Sequence, residues 1–141
     1  MNSKLLIIIS GFLGAVAVAL GALGAHALKD ALSPELLAAY KTANDYHIYH
    51  SIALLAIVGL KKRIGEKNTN IISFLWILGT LVFSGSIYLL AMREIWDMPG
   101  LAKLGPVTPI GGVFLILGWI FAGIAGFKAS GSNGKGHSKA R

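Results

Sequence analysis

Polar and apolar positions in this chain separate in blocks of helix length rather than residue by residue. Apolar runs lie near Leu5 to Ala25, Tyr46 to Leu60, Ile71 to Met92 and Thr108 to Phe127, and the stretches between them hold nearly all of the charge. The first run is free of charge for about twenty residues, which at 1.5 Å per helical residue matches a hydrocarbon core of about 30 Å. The pattern predicts an all-α membrane protein of four transmembrane helices.

The second run starts before its apolar part. Ser33 is a good N-cap, Pro34 suits the first helical position and Glu35 suits the positive end of the helix dipole. Leu36, Leu37, Tyr40, Ala43, His47, His50 and Leu54 then recur at helical spacing, and no glycine or further proline intervenes before Gly59. One helix of about 26 residues, roughly 40 Å long, is expected, with an amphipathic outer extension ahead of the span near 46–60. The linker Lys61 to Asn70 reads as a basic polar turn, with Asn68, Thr69 or Asn70 capping the third helix. Between Arg93 and Val107, Trp96, Pro99, Gly100, Gly105 and Pro106 predict an irregular outer loop with an aromatic anchor. Thr108 and Pro109 then form a cap and first-position pair for the fourth helix. Residues 1–127 thus form one transmembrane domain, and the Gly-, Ser- and Lys-rich segment 128–141 reads as a disordered basic tail.

Composition strengthens the membrane assignment. Hydrophobic residues make up 55% of the 141 and charged residues 13%, against about 25% charged in soluble domains, and the mean hydropathy is +0.68. Too little polar surface remains to cover a soluble globule. The chain lacks cysteine, which excludes disulfides, thiolate nucleophiles and Cys-ligated metals. The net charge of +7 is unevenly placed: Lys4, Lys61, Lys62, Arg63, Lys67, Lys128, Lys135, Lys139 and Arg141 fall on one side of a four-span topology, and Lys29, Lys41, Arg93 and Lys103 on the other. The positive-inside rule then sets both termini in the cytoplasm. Topology alone accounts for this charge, so membrane lipid is the expected partner and nucleic acid is not. Lys4, the apolar run and Ala25-His26-Ala27 imitate a cleaved signal peptide, but the run exceeds the 7–15 residues of such a core.

Small residues at four-residue spacing, Ala17, Gly21 and Ala25 in the first span and Gly118, Ala122 and Gly126 in the fourth, predict close helix packing, within the chain or in a homo-oligomer. Candidate chemistry is sparse. His26, His47 and His50 fall near one membrane interface, and three imidazoles can ligate zinc or copper. Structural hydrogen bonding between helices and proton handling compete for the same residues. Arg93 can reach the second helix or snorkel to water. Gly111 and Gly112 follow Thr108-Pro109-Ile110 and suit either an anion at a helix start or a tight helix contact. Ser84 and Ser86 are expected to bond their own helix or a neighbour. The sequence contains no Ser-His-Asp set, paired intramembrane carboxylates, nucleotide loop or metalloprotease motif, which weighs against an enzyme.

Four strings together carry a resemblance: Gly21-Ala22-Leu23-Gly24-Ala25-His26; Thr42-Ala43 leading to Tyr46 and Tyr49-His50; Ser84-Gly85-Ser86-Ile87-Tyr88-Leu89-Leu90; and Thr108-Pro109-Ile110-Gly111-Gly112 running to Gly118-Trp119. In order and spacing, from Gly11 to Phe127, the chain resembles the small membrane family of unknown function that includes transmembrane protein 256, the domain of unknown function 423. The resemblance implies a four-span bacterial protein of the inner, or plasma, membrane with no established activity. His26, Tyr46, His50, Thr108, Pro109 and Gly111 fall on the family pattern. His47 departs from it, since the family favours glutamine there, which weakens the three-histidine metal site. Arg93 to Lys103 lies in a variable stretch.

Topology and motifs combined place His26, Tyr46, His50, Thr108 and Gly111 at the outer end of the bundle. There they are expected to line one pocket for a small polar ligand or lipid headgroup. The expected function is a non-enzymatic membrane scaffold or accessory protein with such a pocket, and no cofactor or metal is called for. A small oligomeric transporter or proton-linked carrier is the alternative. It requires a continuous polar path, and the second and fourth spans offer few polar residues below His50 and Thr108.

Overall fold

The computed structural model describes residues 1–133. Helix α1 spans Ser3–Ala25, α2 Pro34–Gly59, a single-turn α3 Lys61–Ile64, α4 Glu66–Met92 and α5 Val107–Asn133, with a 3-10 segment at Pro99–Leu104 before α5. Among the described residues there is no strand. Local signals account for the helix starts: Asn2 accepts from the Leu5 amide (2.7 Å), and Ser33 accepts from the Leu36 amide (3.4 Å) ahead of Pro34. As its cap and spacing predict, α2 is one helix of 26 residues.

Among the described residues, three helical segments are long and apolar enough to cross a membrane: Ser3–Ala25, Glu66–Met92 and Pro99–Ala129. By the same measure α2 falls short, because Asn44, Asp45, His47 and His50 lower the hydropathy of its middle. Two boundaries also differ from expectation. Helix α4 begins at Glu66 rather than near Ile71: Gly65, at φ 87°, turns the chain out of α3, and the Asn68 and Thr69 side chains bond back to the Ile64 and Gly65 carbonyls (2.7 and 3.0 Å) instead of capping a later start. Helix α5 begins at Val107, so Thr108 lies inside its first turn rather than at the cap, and it continues past Phe127 to Asn133. Lys128 and Ala129 are good helix formers, and Ala129 packs on the core. The rest of the basic tail, 134–141, lies outside the described residues.

The long helices pack in the order α1, α2, α4, α5, each antiparallel to the next. Gly14 meets Ser51, Gly21 meets Asn44 and Gly24 meets Tyr40; Trp76 meets His50, and Phe83 meets Tyr46; Gly111 meets Phe83, Gly79 meets Leu115 and Gly118 meets Trp76. Near α3 the core is built on Leu13, Leu54, Ile57, Ile72, Trp76 and Leu115, with Thr69 and Ser73 of α4 buried beside Ile72 and Trp76. Around Tyr40, Leu28, Leu32 and Ala91 a second cluster closes the opposite end. Large apolar side chains such as Ile8, Phe12 and Val18 of α1 and Ile116, Ile120 and Phe121 of α5 point outward. In water they would form an outsized sticky surface, whereas in a bilayer they are the lipid-facing wall.

The glycines mark the helix contacts, though not along both expected stripes. On α1 the working face is Ala17, Gly21 and Gly24: a Cβ on Gly21 would lie 2.8 Å from Asn44 Oδ1, and one on Gly24 2.7 Å from the Tyr40 ring. Ala25 is exposed. On α5, Gly118 leaves room for the Trp76 indole, while a Cβ added at Gly126 would meet no other element within 4 Å among the described residues.

Candidate functional site

Both buried histidines of α2 are held by neighbours, on different sides. His50 Nδ1 lies 2.7 Å from the Tyr46 carbonyl, which only accepts, and its Nε2 lies 3.1 Å from Trp119 Nε1, which only donates. The two partners therefore dictate a neutral imidazole with its proton on Nδ1. Trp76 and Trp119 flank the ring, both with centroids 6.1 Å from it. His50 thus ties α2 to α5 across the face of α4.

Beside this tie a groove of about 370 Å³ runs between α2, α4 and α5, lined by Tyr46, His50, Phe83, Gly112, Leu115, Ile116 and Trp119. Tyr46 is 41% exposed, and its ring lies 4.9 Å from that of Phe83. With His50 and Trp119 bonded to each other, the walls present mostly carbon. The volume suits an apolar ligand segment.

His47 faces the α1 side. Its Nδ1 is 3.5 Å from the Tyr88 hydroxyl, to which Asn44 Nδ2 also donates at 3.3 Å. Asn44 Nδ2 donates to the Ala17 carbonyl (2.7 Å) and the Tyr40 hydroxyl to the Leu20 carbonyl (2.9 Å). These bonds reach the α1 backbone only because Gly21 and Gly24 have no side chain in the way. His47, Thr80, Ser84 and Tyr88, with Val16, Leu20, Leu81 and Gly85, line a second pocket of about 180 Å³.

The structure gathers only part of the set expected from sequence. Tyr46 and His50 share the groove. Gly111 lies behind it, buried against the backbone of Phe83, so it serves helix packing rather than cradling an anion. Thr108 is one turn away and hydrogen-bonds Ser86 (2.7 Å), whose own hydroxyl reaches the Phe83 carbonyl (2.9 Å). His26 does not join. It is the exposed C-cap of α1, beyond the level of Gly24 and Tyr40, and Tyr40 lies about 15 Å from His50 along α2 at 1.5 Å per residue. The antiparallel register separates the two histidines. It also disperses the three-imidazole metal set, and among the described residues no three His, Asp or Glu side chains converge. Arg93 pairs with Glu94 (3.8 Å) at the surface rather than with α2.

Sequence reasoning singled out Ser84 and Ser86, of which Ser86 finds the expected partners while Ser84 Oγ has none among the described residues, and it missed the other buried hydroxyls of α4. Thr69, Ser73, Thr80 and Ser84 are all buried, on the face that also carries Ile72 and Trp76. Their spacing of four, seven and four residues inside an apolar span was the available signal, since scattered polar residues in a span would not share a face.

Comparison with known proteins agrees that the chain is a membrane protein. Residues 20–112 match the family described as protein of unknown function (DUF423). A UPF0382 membrane protein of Staphylococcus aureus (strain bovine RF122 / ET3-1) is 40% identical over 91% of this chain and 99% of its own length. One from Staphylococcus saprophyticus is 38% identical over 89% and 98%. The UPF0382 membrane protein YwdK of Bacillus subtilis is 33% identical over 89% and 98%. No solved structure matches the chain.

Proposed function

Since the chain belongs to the DUF423 family and is a membrane protein like its UPF0382 relatives, we propose that it is a non-enzymatic protein of the bacterial inner membrane that binds a lipid chain in the groove between α2, α4 and α5. The observation that carries this reading is the groove's chemistry. His50 Nε2 accepts from Trp119 Nε1 and His50 Nδ1 donates to the Tyr46 carbonyl, leaving Phe83, Leu115 and Ile116 as a carbon surface. Tyr46 stands at the same groove with a phenol that suits a lipid headgroup. The surrounding bilayer supplies the occupant, an acyl chain, at high local concentration.

In this proposal α2 is a fourth crossing. Support comes from its antiparallel place between α1 and α4, whose apolar lengths each match a bilayer. The basic residues around α3, with Lys4 and Lys128, favour cytoplasmic termini. Transport is less favoured, because Leu13, Leu54, Ile72 and Trp76 fill the interior between Thr80 and the α3 end.

The test is photo-crosslinking with a phospholipid carrying a diazirine in its acyl chain, followed by peptide mapping. Labels should fall on Phe83, Leu115 and Ile116. Gly112→Leu should fill the groove and abolish that labelling: Gly112 lines the groove, and a Cβ there meets only Phe83, in ordinary contact at 3.7 Å. Labelling that is uniform around the bundle, or unchanged in Gly112→Leu, overturns the proposal.

A further inference from the structure

The pocket on the opposite side of α2 differs in kind. His47, Thr80 and Ser84 are 6%, 1% and 1% exposed, and each carries a buried polar atom, Nε2, Oγ1 and Oγ respectively, with no hydrogen-bond partner among the described residues. All three residues line the same space of about 180 Å³. Serine and threonine inside a helix ordinarily satisfy themselves on the carbonyl one turn back, as Ser51 and Thr69 do here. At membrane depth, where no bulk water compensates, three unsatisfied groups around one pocket are costly.

We propose that this pocket is a second binding site, for a phenol-type molecule: a single neutral ring bearing a hydroxyl. Neutrality follows from the lining, which holds no charged side chain, since a bare charge here would lose its hydration without a counter-charge. A hydroxyl both donates and accepts, so one group can serve His47 Nε2 from α2 and the hydroxyls of Thr80 and Ser84 from α4. Val16, Leu20 and Leu81 supply a carbon surface for the ring. The volume is below the 300–1,000 Å³ of sites for drug-sized ligands, which fits one ring rather than a lipid tail.

The experiment compares phenol with toluene, a ring of similar size without the hydroxyl, on the full-length protein in detergent micelles. The readout is the ¹⁵N resonance of His47 Nε2, assigned by its loss in His47→Gln. Phenol should shift it saturably, with at least tenfold higher affinity than toluene at matched free concentration. Thr80→Val with Ser84→Ala should bring that preference close to one while leaving toluene binding unchanged, and Ser84→Ala alone serves if the double variant does not fold. Gly112→Leu should leave the phenol response intact, which separates this site from the lipid groove. A non-saturable shift, equal response to the two rings, or an undiminished preference in the hydroxyl variants overturns the proposal.

Discussion

At the residue scale, His50 shows how the bundle treats a polar group. Its neutral ring is fully used, by a carbonyl of its own helix and by an indole from α5. Trp119→Phe should leave Nε2 unpaired and cost about 1–3 kcal/mol, read as a lower midpoint of thermal unfolding in detergent. The ¹⁵N spectrum of the parent protein should show a protonated Nδ1 and an unprotonated Nε2. Gly111 gives a sharper contrast. Its missing side chain admits the Phe83 backbone, which cannot swing aside as a side-chain tip can, so Gly111→Ala should destabilise by about 1–3 kcal/mol through overpacking. Gly123→Ala, whose Cβ would meet no other element within 4 Å, should not destabilise and should gain up to about 1 kcal/mol from helix propensity, measured in the same assay.

At the scale of elements, the α1–α2 seam is a polar zipper on a glycine face. Tyr40 and Asn44 bond carbonyls of α1 that are already used within that helix, and such interhelical bonds are worth about 0.6 kcal/mol on average and 1.7 at most. Asn44→Leu should therefore loosen α1 by about 1 kcal/mol, seen as faster amide exchange at Ala17 and Gly21 with little change in α5. The expected α2 emerged with its cap, its first proline and its length, because those signals are local. Which small residues would be interfacial was not legible. Ala25 and Gly126 share the spacing of their stripes, yet the register turns them outward.

At the scale of the molecule, the order α1, α2, α4, α5 makes two unlike cavities on the two sides of the α2–α4 pair. The proposed topology is directly testable, since the chain has no native cysteine. In intact cells, an impermeant thiol reagent should label Lys103→Cys and spare Lys62→Cys, and the reverse pattern would invert the bundle.

Sequence by itself determined that this is a helical membrane protein and where the apolar cores of its long helices lie, though not where α4 begins or α5 ends. Hydrophobic length, caps and charge distribution act locally and survive in any packing arrangement. It also marked Tyr46 and His50 as neighbours in one place. Only the tertiary structure decided that His26 stands apart, that His47 and His50 serve opposite faces, and that Thr80 and Ser84 join His47 around one pocket. Those outcomes depend on the register between antiparallel helices, set by where glycines let backbones and rings approach, and spacing along a single chain does not encode that offset.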